Sequence, residues 1–385
     1  MYPALAVLQE IRNPERELDE AAEPERLAGG DRDGWLHEGN LLWIGGIGGM
    51  EAELVKRSGI PFEAIPSAGV HGVGLRSLPG NLRELYRGFR QARHILRRFQ
   101  PDVMFFTGGY VAVPVALAGW LPQRKVKRPR SLLYIPDIEP GLALKTLARV
   151  ADSITVTVEE TRQYLPKRKP VNVTGYPMRP ELKAWEHKEA FTRLGLSADL
   201  PTLLVLGGSK GARSINRALL PALSELLKQM QVLHLSGQLD WAEILAAREK
   251  LATSISKDHL ERYRAYPYLH EEMGAAFTVA DLVVCRAGAS TLGELPHFGI
   301  PAILVPYPYA WRYQQVNALY LAERGAAVVL SDSELLAGLV PSILRLMEDH
   351  EALLRMHTAM KSVAQPQAAK AIADQLRLLA EDSRR

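Results

Sequence analysis

Short runs of apolar residues alternate with segments of helical periodicity along most of the chain. This alternation is typical of β-α-β units, in which helices join buried parallel strands. The apolar runs predict strands at 41–45, 102–107, 131–135, 153–158 and 171–175, and again at 202–206, 232–236, 264–269, 282–286, 302–306 and 326–330. Helical patterns lie between them, for example over 51–58, 214–229 and 291–298. The sequence therefore predicts an α/β protein with two doubly wound parallel sheets.

A domain boundary is predicted between the two sets of strands, where Pro177 and Pro180 interrupt any continuous helix. Residues 13–40 are rich in charged residues and glycine and poor in apolar ones, which predicts a solvated loop insertion. A last helical pattern follows Pro366, and docking back on the first domain is one arrangement open to it. We expect an N-terminal domain over 1–178, a C-terminal domain over 179–365 and a C-terminal helix over 366–385.

Composition and charge narrow the partners of the protein. A chain of 385 residues with 47% apolar residues is long enough for two globular domains. Its net charge of +4 favours anionic partners such as nucleotides, lipid pyrophosphates or a membrane surface, but it does not by itself argue for nucleic acid. The one cysteine excludes an internal disulfide and a cysteine-rich zinc site. No apolar run has the length of a membrane-spanning helix and no signal peptide opens the chain, so we expect a cytoplasmic protein.

The first candidate site is the glycine turn formed by Gly207, Gly208 and Gly211, which lies between an apolar strand and a helical pattern. Glycines let the backbone approach a ligand closely, and exposed N–H groups in such a turn bind phosphate. Ser209 adds a hydroxyl group and Lys210 adds a positive charge. The pattern predicts a phosphate site, although an ordinary strand-to-helix turn is the alternative.

A second turn, Arg286–Glu294, also runs from a predicted strand into a predicted helix. Gly288 and the following residues to Thr291 present N–H and hydroxyl donors that suit a diphosphate. Glu294 lies one helical turn after Ser290, and its carboxylate can accept both hydroxyl groups of a ribose. The alternative for Glu294 is a solvated helix charge.

Weaker candidates complete the set. Gln314 and Asn317 share a predicted helix face, and their amides suit the hydroxyl groups of a sugar. The turn Gly108-Gly109-Tyr110 follows a strand in the first half and is a possible second anion site. Arg179 follows the predicted boundary and is placed to reach a phosphate. An ordinary turn and a solvated charge remain the alternatives for the last two.

Residues 75–99 form a basic amphipathic pattern in which arginines alternate with leucine, isoleucine and phenylalanine. The pattern predicts a helix packed on its sheet, with a basic face that is attracted to anionic lipid head groups. A face that is merely solvated is the alternative.

Taken together, these motifs resemble one family over nearly the whole chain: the MurG-like transferases that add N-acetylglucosamine to undecaprenyl-pyrophosphoryl-muramyl-pentapeptide in peptidoglycan synthesis. The segments that carry the resemblance are Tyr2-Pro3-Ala4-Leu5-Ala6, Gly108-Gly109-Tyr110-Val111, Gly175-Tyr176-Pro177-Met178-Arg179, Gly207-Gly208-Ser209-Lys210-Gly211-Ala212, Arg286-Ala287-Gly288-Ala289, Thr291 to Leu295, and Gln314 with Asn317-Ala318. The resemblance implies a GT-B architecture, in which two Rossmann-like domains face each other across a cleft.

The resemblance also implies roles for individual residues. The C-terminal domain is expected to bind UDP-N-acetylglucosamine and the N-terminal domain to hold the acceptor pyrophosphate at Gly108, Gly109 and Tyr110. The residues expected to bind the donor are Asp137, Arg179, Gly207, Gly208, Ser209, Gly211, Arg286, Gly288, Ala289, Ser290, Thr291, Glu294, Gln314 and Asn317. We expect transfer with inversion, no cofactor and no metal, and a peripheral location on the cytoplasmic face of the membrane. The implied roles are cell wall biogenesis, cell shape and cell division.

The sequence departs from the family pattern in three places, one of which is Tyr313 before Gln314, where the family commonly has a polar residue or histidine. The family's first strand and its Gly-Gly-x-Gly-Gly-His loop have no counterpart before Tyr2, and Asp137 aligns where the family has an asparagine. The catalytic base is therefore unassigned, and the candidates are Asp137, Glu139 and His71. Two alternative functions stay open: transfer from a UDP-sugar to another lipid or natural product, or binding of a UDP-sugar with little activity.

Overall fold

The computed structural model describes residues 2–12, 40–49, 51–67, 78–122, 127–179, 182, 185–208, 211–309 and 312–384. These residues form two compact units. Unit 1 consists of Met1–Pro136, Pro140–Pro177 and Gln367–Arg385, and unit 2 consists of Asp137–Glu139 and Met178–Pro366. The insertion predicted over 13–40 falls almost entirely outside the described residues.

Strands and helices alternate through both units, as the apolar pattern predicts. The strands are β1 Trp43–Gly46, β2 Phe62–Ile65, β3 Val103–Phe106, β4 Arg130–Ile135, β5 Ser153–Val156, β6 Val171–Val173, β7 Thr202–Leu206, β8 Gln231–Leu235, β9 Tyr263–Tyr266, β10 Leu282–Cys285, β11 Ala302–Leu304 and β12 Ala327–Val329. The α-helices are α1 Tyr2–Ile11, α2 Glu51–Arg57, α3 Leu78–Phe99, α4 Ala112–Trp120, α5 Leu142–Val150, α6 His187–Leu194, α7 Arg213–Leu219, α8 Leu223–Leu226, α9 Trp241–Ala252, α10 Lys257–Glu261, α11 Met273–Thr278, α12 Thr291–Phe298, α13 Tyr313–Glu323, α14 Leu335–Glu348, α15 His350–Ser362 and α16 Ala368–Arg384.

In unit 1 the described strands pair in two parallel sheets, β1-β2 and β3-β4-β5-β6. Residues 131–135 of β4 are buried throughout, as expected for a strand of a parallel sheet that helices cover on both faces. On one of these faces Ile372 and Leu376 of α16 pack with Leu132 of β4 and with Val7 of α1. The C-terminal helix therefore packs on unit 1.

A cavity of about 780 Å³ lies in unit 1 between the edges of β1 and β3. Ile44 of β1 lines one side, Phe105 of β3 lines the other, and Val7 of α1 also borders it. Gly108 and Gly109, which follow β3, lie at this cavity as well.

The described strands of unit 2 form one parallel sheet in the order β12-β11-β10-β7-β8-β9. Strand β8 pairs with one side of β7 and β9 pairs with β8. The next strand in the chain, β10, pairs with the opposite side of β7. The strand order therefore reverses between β7 and β10, where Leu206 lies opposite Cys285. Ligands of open α/β sheets bind at such a reversal, beyond the carboxyl ends of the strands. The two glycine turns of unit 2 leave the sheet at this point.

Two elements differ from the sequence prediction. Residues 214–229 were expected to form one helix, but a 3-10 turn over Leu220–Ala222 separates α7 from α8. Pro221 lies in this turn and has no N–H to continue an α-helical hydrogen-bond pattern. The short strand β2 was not predicted, because its sequence Phe-Glu-Ala-Ile is only partly apolar.

Candidate functional site

The glycine turn after β7 takes a shape that side chains would prevent. Gly208 and Gly211 have φ angles of +78° and +83°, which favour glycine. A Cβ atom on Gly211 would lie 2.2 Å from the carbonyl oxygen of Ser236, and one on Gly207 would lie 2.2 Å from the backbone nitrogen of Ala212. The backbone of the turn therefore packs tightly against the end of β8. Ser209 and Lys210 lie outside the described residues.

The turn between β10 and α12 leaves a row of backbone donors. The N–H groups of Thr291 and Leu292 donate to the carbonyl oxygens of Gly288 and Ala289. Those of Gly288, Ala289 and Ser290 donate to no residue that the structure describes. The Thr291 hydroxyl also donates to the Gly288 carbonyl oxygen at 2.6 Å, so its proton is used within the turn, and its contact with a diphosphate stays a prediction. Three successive N–H groups thus remain for an anion.

Glu294 lies on the first turn of α12, where its side chain accepts a hydrogen bond from Ser290. Burial raises the pKa of Glu294, while this hydrogen bond and the positive charge of Arg179 oppose the rise. A carboxylate removed from bulk water in this way gains most from hydroxyl donors that arrive with a ligand. Arg179 acts on this site through its charge and does not line the cavity described below.

Arg286 connects several segments of unit 2 through hydrogen bonds of its side chain. Its Nη1 donates to Asp332 Oδ1 at 2.6 Å and its Nη2 donates to Ser214 Oγ at 2.7 Å. Ser214 in turn donates to the same Asp332 oxygen at 2.7 Å. Arg286 Nη1 also donates to the carbonyl oxygen of Val305. The guanidinium group therefore joins the turn after β10 to α7 and to the segment after β12.

A cavity of about 1070 Å³ opens in unit 2 where these turns meet, and we refer to it as the unit 2 cavity. Nine of the residues expected to bind the donor line it: Gly207, Gly208, Gly211, Arg286, Gly288, Ser290, Thr291, Glu294 and Gln314. Gln314 accepts a hydrogen bond from the Tyr307 N–H through Oε1, and its Nε2 donates to none of the described residues. The cavity therefore combines backbone donors, a carboxylate and an amide.

Asn317 is an exception among the expected donor residues. Its side chain is fully buried, its Oδ1 accepts from the Ile138 N–H, and its Nδ2 donates to Asp137 and to the Ala287 carbonyl oxygen. Both protons of the Asn317 amide nitrogen are used within the protein and Asn317 does not line the unit 2 cavity, so this arrangement gives no support to a direct sugar contact, which stays a prediction. Asn317 positions Asp137 and the turn after β10.

The structure describes two of the three candidates for the catalytic base, and neither lines the unit 2 cavity. Burial raises the pKa of Asp137, the hydrogen bond from Asn317 opposes the rise, and Asp137 does not line the unit 2 cavity. Glu139 is buried and accepts hydrogen bonds from Arg312 Nε and Nη2 at 3.2 and 3.0 Å. His71 lies outside the described residues.

The candidate acceptor residues of unit 1 form a tight turn after β3. Gly108 and Gly109 have φ angles of +107° and +87°, and a Cβ atom on Gly108 would lie 3.3 Å from Leu144 Cδ2. Both glycines border the unit 1 cavity, whereas Tyr110 is exposed and does not line it. The sequence placed this turn correctly after a strand, but it gave no sign of the cavity.

Several residues of the unit 2 cavity were missed by sequence reasoning. Asp332 and Ser214 belong to the Arg286 cluster, and Arg213 and Asp240 line the same cavity. These residues reach the site from three separate elements, and no local motif marks them. Among the described residues, no group of three or more His, Cys, Asp or Glu side chains could hold a metal ion. No described helix combines the length and the apolar character needed to span a membrane.

Family models match both halves of the chain. The glycosyltransferase family 28 N-terminal domain matches residues 34–156 and the family 28 C-terminal domain matches residues 202–376. In fold, the chain is similar to the crystal structure of MurG from Acinetobacter baumannii, with a TM-score of 0.68 over 98% of this chain and 95% of that chain, at 24% identity. The predicted GT-B fold class, built from two Rossmann-like units, is confirmed.

Two curated relatives carry the name UDP-N-acetylglucosamine–N-acetylmuramyl-(pentapeptide) pyrophosphoryl-undecaprenol N-acetylglucosamine transferase. The protein from Roseiflexus sp. (strain RS-1) is 38% identical over 97% of this chain and 91% of its own length. The protein from Desulforudis audaxviator (strain MP104C) is 35% identical over 99% of this chain and 95% of its own length. The chain therefore belongs to glycosyltransferase family 28 and, within it, to the MurG-like transferases.

Proposed function

We propose that the chain transfers N-acetylglucosamine from UDP-N-acetylglucosamine to the undecaprenyl-pyrophosphoryl-muramyl-pentapeptide acceptor of peptidoglycan synthesis. The relatives named above support this choice of donor and acceptor. The observation that carries it is the unit 2 cavity, where the two glycine turns, Glu294 and Gln314 come together. Its volume and its few convergent polar groups suit a nucleotide sugar.

The geometry of the cavity suggests how the donor lies. The N–H groups of Gly288, Ala289 and Ser290, together with the turn of Gly207 and Gly208, are assigned to the diphosphate. Glu294 is assigned to the ribose, because one carboxylate accepts from two neighbouring hydroxyl groups.

Gln314 is assigned to the sugar through its Nε2. Arg286 was also expected to bind the donor. It lines the cavity, and its hydrogen bonds to Asp332 and Ser214 hold it in position there.

The proposed reaction is a displacement at the anomeric carbon. An acceptor hydroxyl oxygen attacks this carbon, the bond to the UDP oxygen breaks, and UDP leaves with the electron pair, so the configuration inverts. Negative charge grows on the diphosphate as the bond breaks, and fixed N–H donors at that position lower the barrier. The proton of the acceptor hydroxyl goes to a base that is not assigned to a residue.

The acceptor side of the proposal rests on unit 1. Gly108 and Gly109 are assigned to the acceptor pyrophosphate, because a glycine turn with positive φ angles directs backbone N–H groups toward an anion. On α3, Leu82 and Tyr86 are exposed beside Arg83, Arg87 and Arg90.

Apolar side chains among arginines suit the head-group region of an anionic membrane. We propose that this face holds the protein peripherally at the cytoplasmic surface. The proposed roles in cell shape and cell division depend on the proposed transfer reaction of peptidoglycan synthesis.

A panel of donors and acceptors tests the function. The full chain is incubated with radiolabelled UDP-N-acetylglucosamine, UDP-glucose or UDP-galactose, each with the muramyl-pentapeptide lipid or with an undecaprenyl phosphate acceptor. We expect labelled product only from UDP-N-acetylglucosamine and the muramyl-pentapeptide lipid. Transfer to a different acceptor would assign another glycosyltransferase activity. UDP binding without transfer to any acceptor would contradict the proposal.

A further inference from the structure

A network of hydrogen-bonded polar side chains runs through unit 2 beside β8. His234 is fully buried, its Nδ1 lies 2.8 Å from the Tyr263 hydroxyl, and its Nε2 lies 3.0 Å from Asn216 Oδ1. An amide oxygen can only accept, so His234 carries its proton on Nε2 and accepts from Tyr263 on Nδ1. Burial lowers the pKa of His234 to about 4, which keeps the ring neutral near pH 7. The direction of each hydrogen bond is thereby fixed.

The hydrogen-bond network continues from Asn216 to the rim of the unit 2 cavity. Asn216 Nδ2 donates to the Ser236 carbonyl oxygen at 2.9 Å and to Asp240 Oδ2 at 3.0 Å. The other oxygen of Asp240 accepts from Arg213 Nε at 2.8 Å. Asp240 is buried and therefore needs both donors. Its carboxylate is held in one orientation by Asn216 and presents its second oxygen to Arg213.

Arg213 is the last residue of this hydrogen-bond network and lines the unit 2 cavity. Its Nε is occupied by Asp240, but Nη1 and Nη2 make no hydrogen bond to the residues that the structure describes. Because the guanidinium group is planar, fixing Nε also limits where the two terminal nitrogens can point. Two N–H-bearing nitrogens of one arginine are the usual partners of two phosphate oxygens.

The other arginines that line the cavity are engaged elsewhere. The terminal nitrogens of Arg286 donate to Asp332, to Ser214 and to backbone carbonyl oxygens. Arg217, one turn after Arg213 on α7, donates to both oxygens of Glu243 through Nε and Nη2. Among the described residues, Arg213 has two terminal nitrogens without a hydrogen-bond partner, Arg217 has one and Arg286 has none, so Arg213 keeps the most capacity for a ligand.

We propose that Arg213 contacts the diphosphate of the nucleotide-sugar donor, and that Asp240, Asn216 and His234 are positioning residues that hold its guanidinium group in place. The inference rests on the proposed function, because it assumes that a UDP-sugar occupies the unit 2 cavity. It adds a cationic contact, and a buried support for it, that the family motifs do not mark.

Calorimetry with two ligands tests the inference, since UDP carries the diphosphate and uridine does not. We expect Arg213→Ala to weaken UDP binding about 10-fold or more, the range for a hydrogen bond to a charged group, and to leave uridine binding unchanged. Arg213→Lys should recover part of the loss, because it keeps the charge without the planar fork. Arg355→Ala is the matched control, because Arg355 is an exposed arginine of unit 2 that pairs with Glu351 and does not line the unit 2 cavity; it should bind UDP within about 2-fold of the parent.

The positioning role is tested with Asp240→Asn, which removes the charge that holds Arg213. We expect a smaller loss of UDP affinity, about 3-fold to 10-fold, and no change for uridine. If Asp240→Asn is introduced into Arg213→Ala, no further loss of UDP affinity should follow, whereas a merely structural Asp240 would lower the affinity for both ligands in either background.

Equal UDP affinity of Arg213→Ala and the parent would overturn the inference and leave the proposed function standing. An equal loss of UDP and uridine affinity would also overturn it, because the defect would then lie outside the diphosphate. If the parent itself binds no UDP, the proposed function fails and the inference fails with it.

Discussion

Asn317 holds Asp137 by a hydrogen bond of 2.9 Å from its amide nitrogen to the carboxylate. The same side chain accepts from the Ile138 N–H at 3.2 Å and donates to the Ala287 carbonyl oxygen at 3.2 Å. Residues Asp137–Glu139 belong to unit 2 although the chain on either side of them belongs to unit 1. A single buried amide therefore fixes this short segment to α13 and to the turn after β10.

Loss of that amide is expected to destabilise the protein. Asn317→Ala leaves the Ile138 N–H and the Ala287 carbonyl oxygen without partners, and each unpaired buried group costs about 1–3 kcal/mol. We expect the free energy of unfolding to fall by roughly 2–4 kcal/mol in urea denaturation. Gln315→Ala, at an exposed position of the same helix, is the control and should stay within about 0.5 kcal/mol of the parent. Equal stability of the two variants would show that the buried amide is not needed.

Glu294 is expected to recognise the ribose. Glu294→Ala should weaken UDP binding by about 1.5–3 kcal/mol, because it removes an acceptor that is charged and withdrawn from bulk water. The loss should vanish when 2′,3′-dideoxy-UDP replaces UDP in the calorimeter, since that ligand has no hydroxyl groups to donate. Glu323→Ala, at an exposed position of α13, is the matched control. An unchanged dissociation constant for UDP would remove Glu294 from the ribose role.

The buried His234 is expected to make stability depend on pH. Its pKa is about 4 in the folded protein and about 6.5 in an unfolded chain, so the unfolded state binds more protons between these values. The stabilisation is complete above about pH 6.5 and falls as the pH drops toward 4, by up to about 3 kcal/mol.

Urea denaturation at several pH values between 4.5 and 7.5 should show this slope in the parent and a smaller slope in His234→Gln. The same slope in both proteins would exclude His234 as its source.

The basic face of α3 is expected to bind anionic membranes. Changing Arg83, Arg87 and Arg90 to Glu should reduce sedimentation with phosphatidylglycerol vesicles, and salt should weaken binding of the parent. The control carries the same charge change in unit 2, at the exposed residues Lys188, Lys250 and Lys257. If both variants pellet equally, net charge rather than this face determines the attraction.

Regular elements could be predicted where local pattern decides them. The apolar run Thr202–Leu206 and the helical pattern Thr291–Phe298 agree with β7 and α12 to the residue. The split of the helix over 214–229 was not predicted, although Pro221 is visible in the sequence, because a proline near the end of a helical turn can be accommodated in several ways. Strand β2 was missed because its side chains are only partly buried and its pattern is short.

The candidate site could be predicted only as far as it consists of local motifs. The turns at Gly207 and Gly288 were found because glycines between a predicted strand and a predicted helix are typical of such turns. The partners of Arg286 could not be found in the same way. Asp332 lies 46 residues further along the chain, and it reaches Arg286 only because β12 and β10 lie in one sheet. Asn317 was assigned to the sugar because a sequence does not show whether an amide faces a cavity or the core.

Photoaffinity labelling tests most directly whether the unit 2 cavity holds the nucleotide sugar. The full chain is irradiated with 5-azido-UDP-N-acetylglucosamine, with and without an excess of unlabelled UDP-N-acetylglucosamine, and the labelled peptides are identified by mass spectrometry. Our expectation is label that the competitor removes, on peptides that contain lining residues of the cavity such as Gly211, Leu239 or Glu294. Competitor-sensitive label found only on peptides of unit 1 would contradict it.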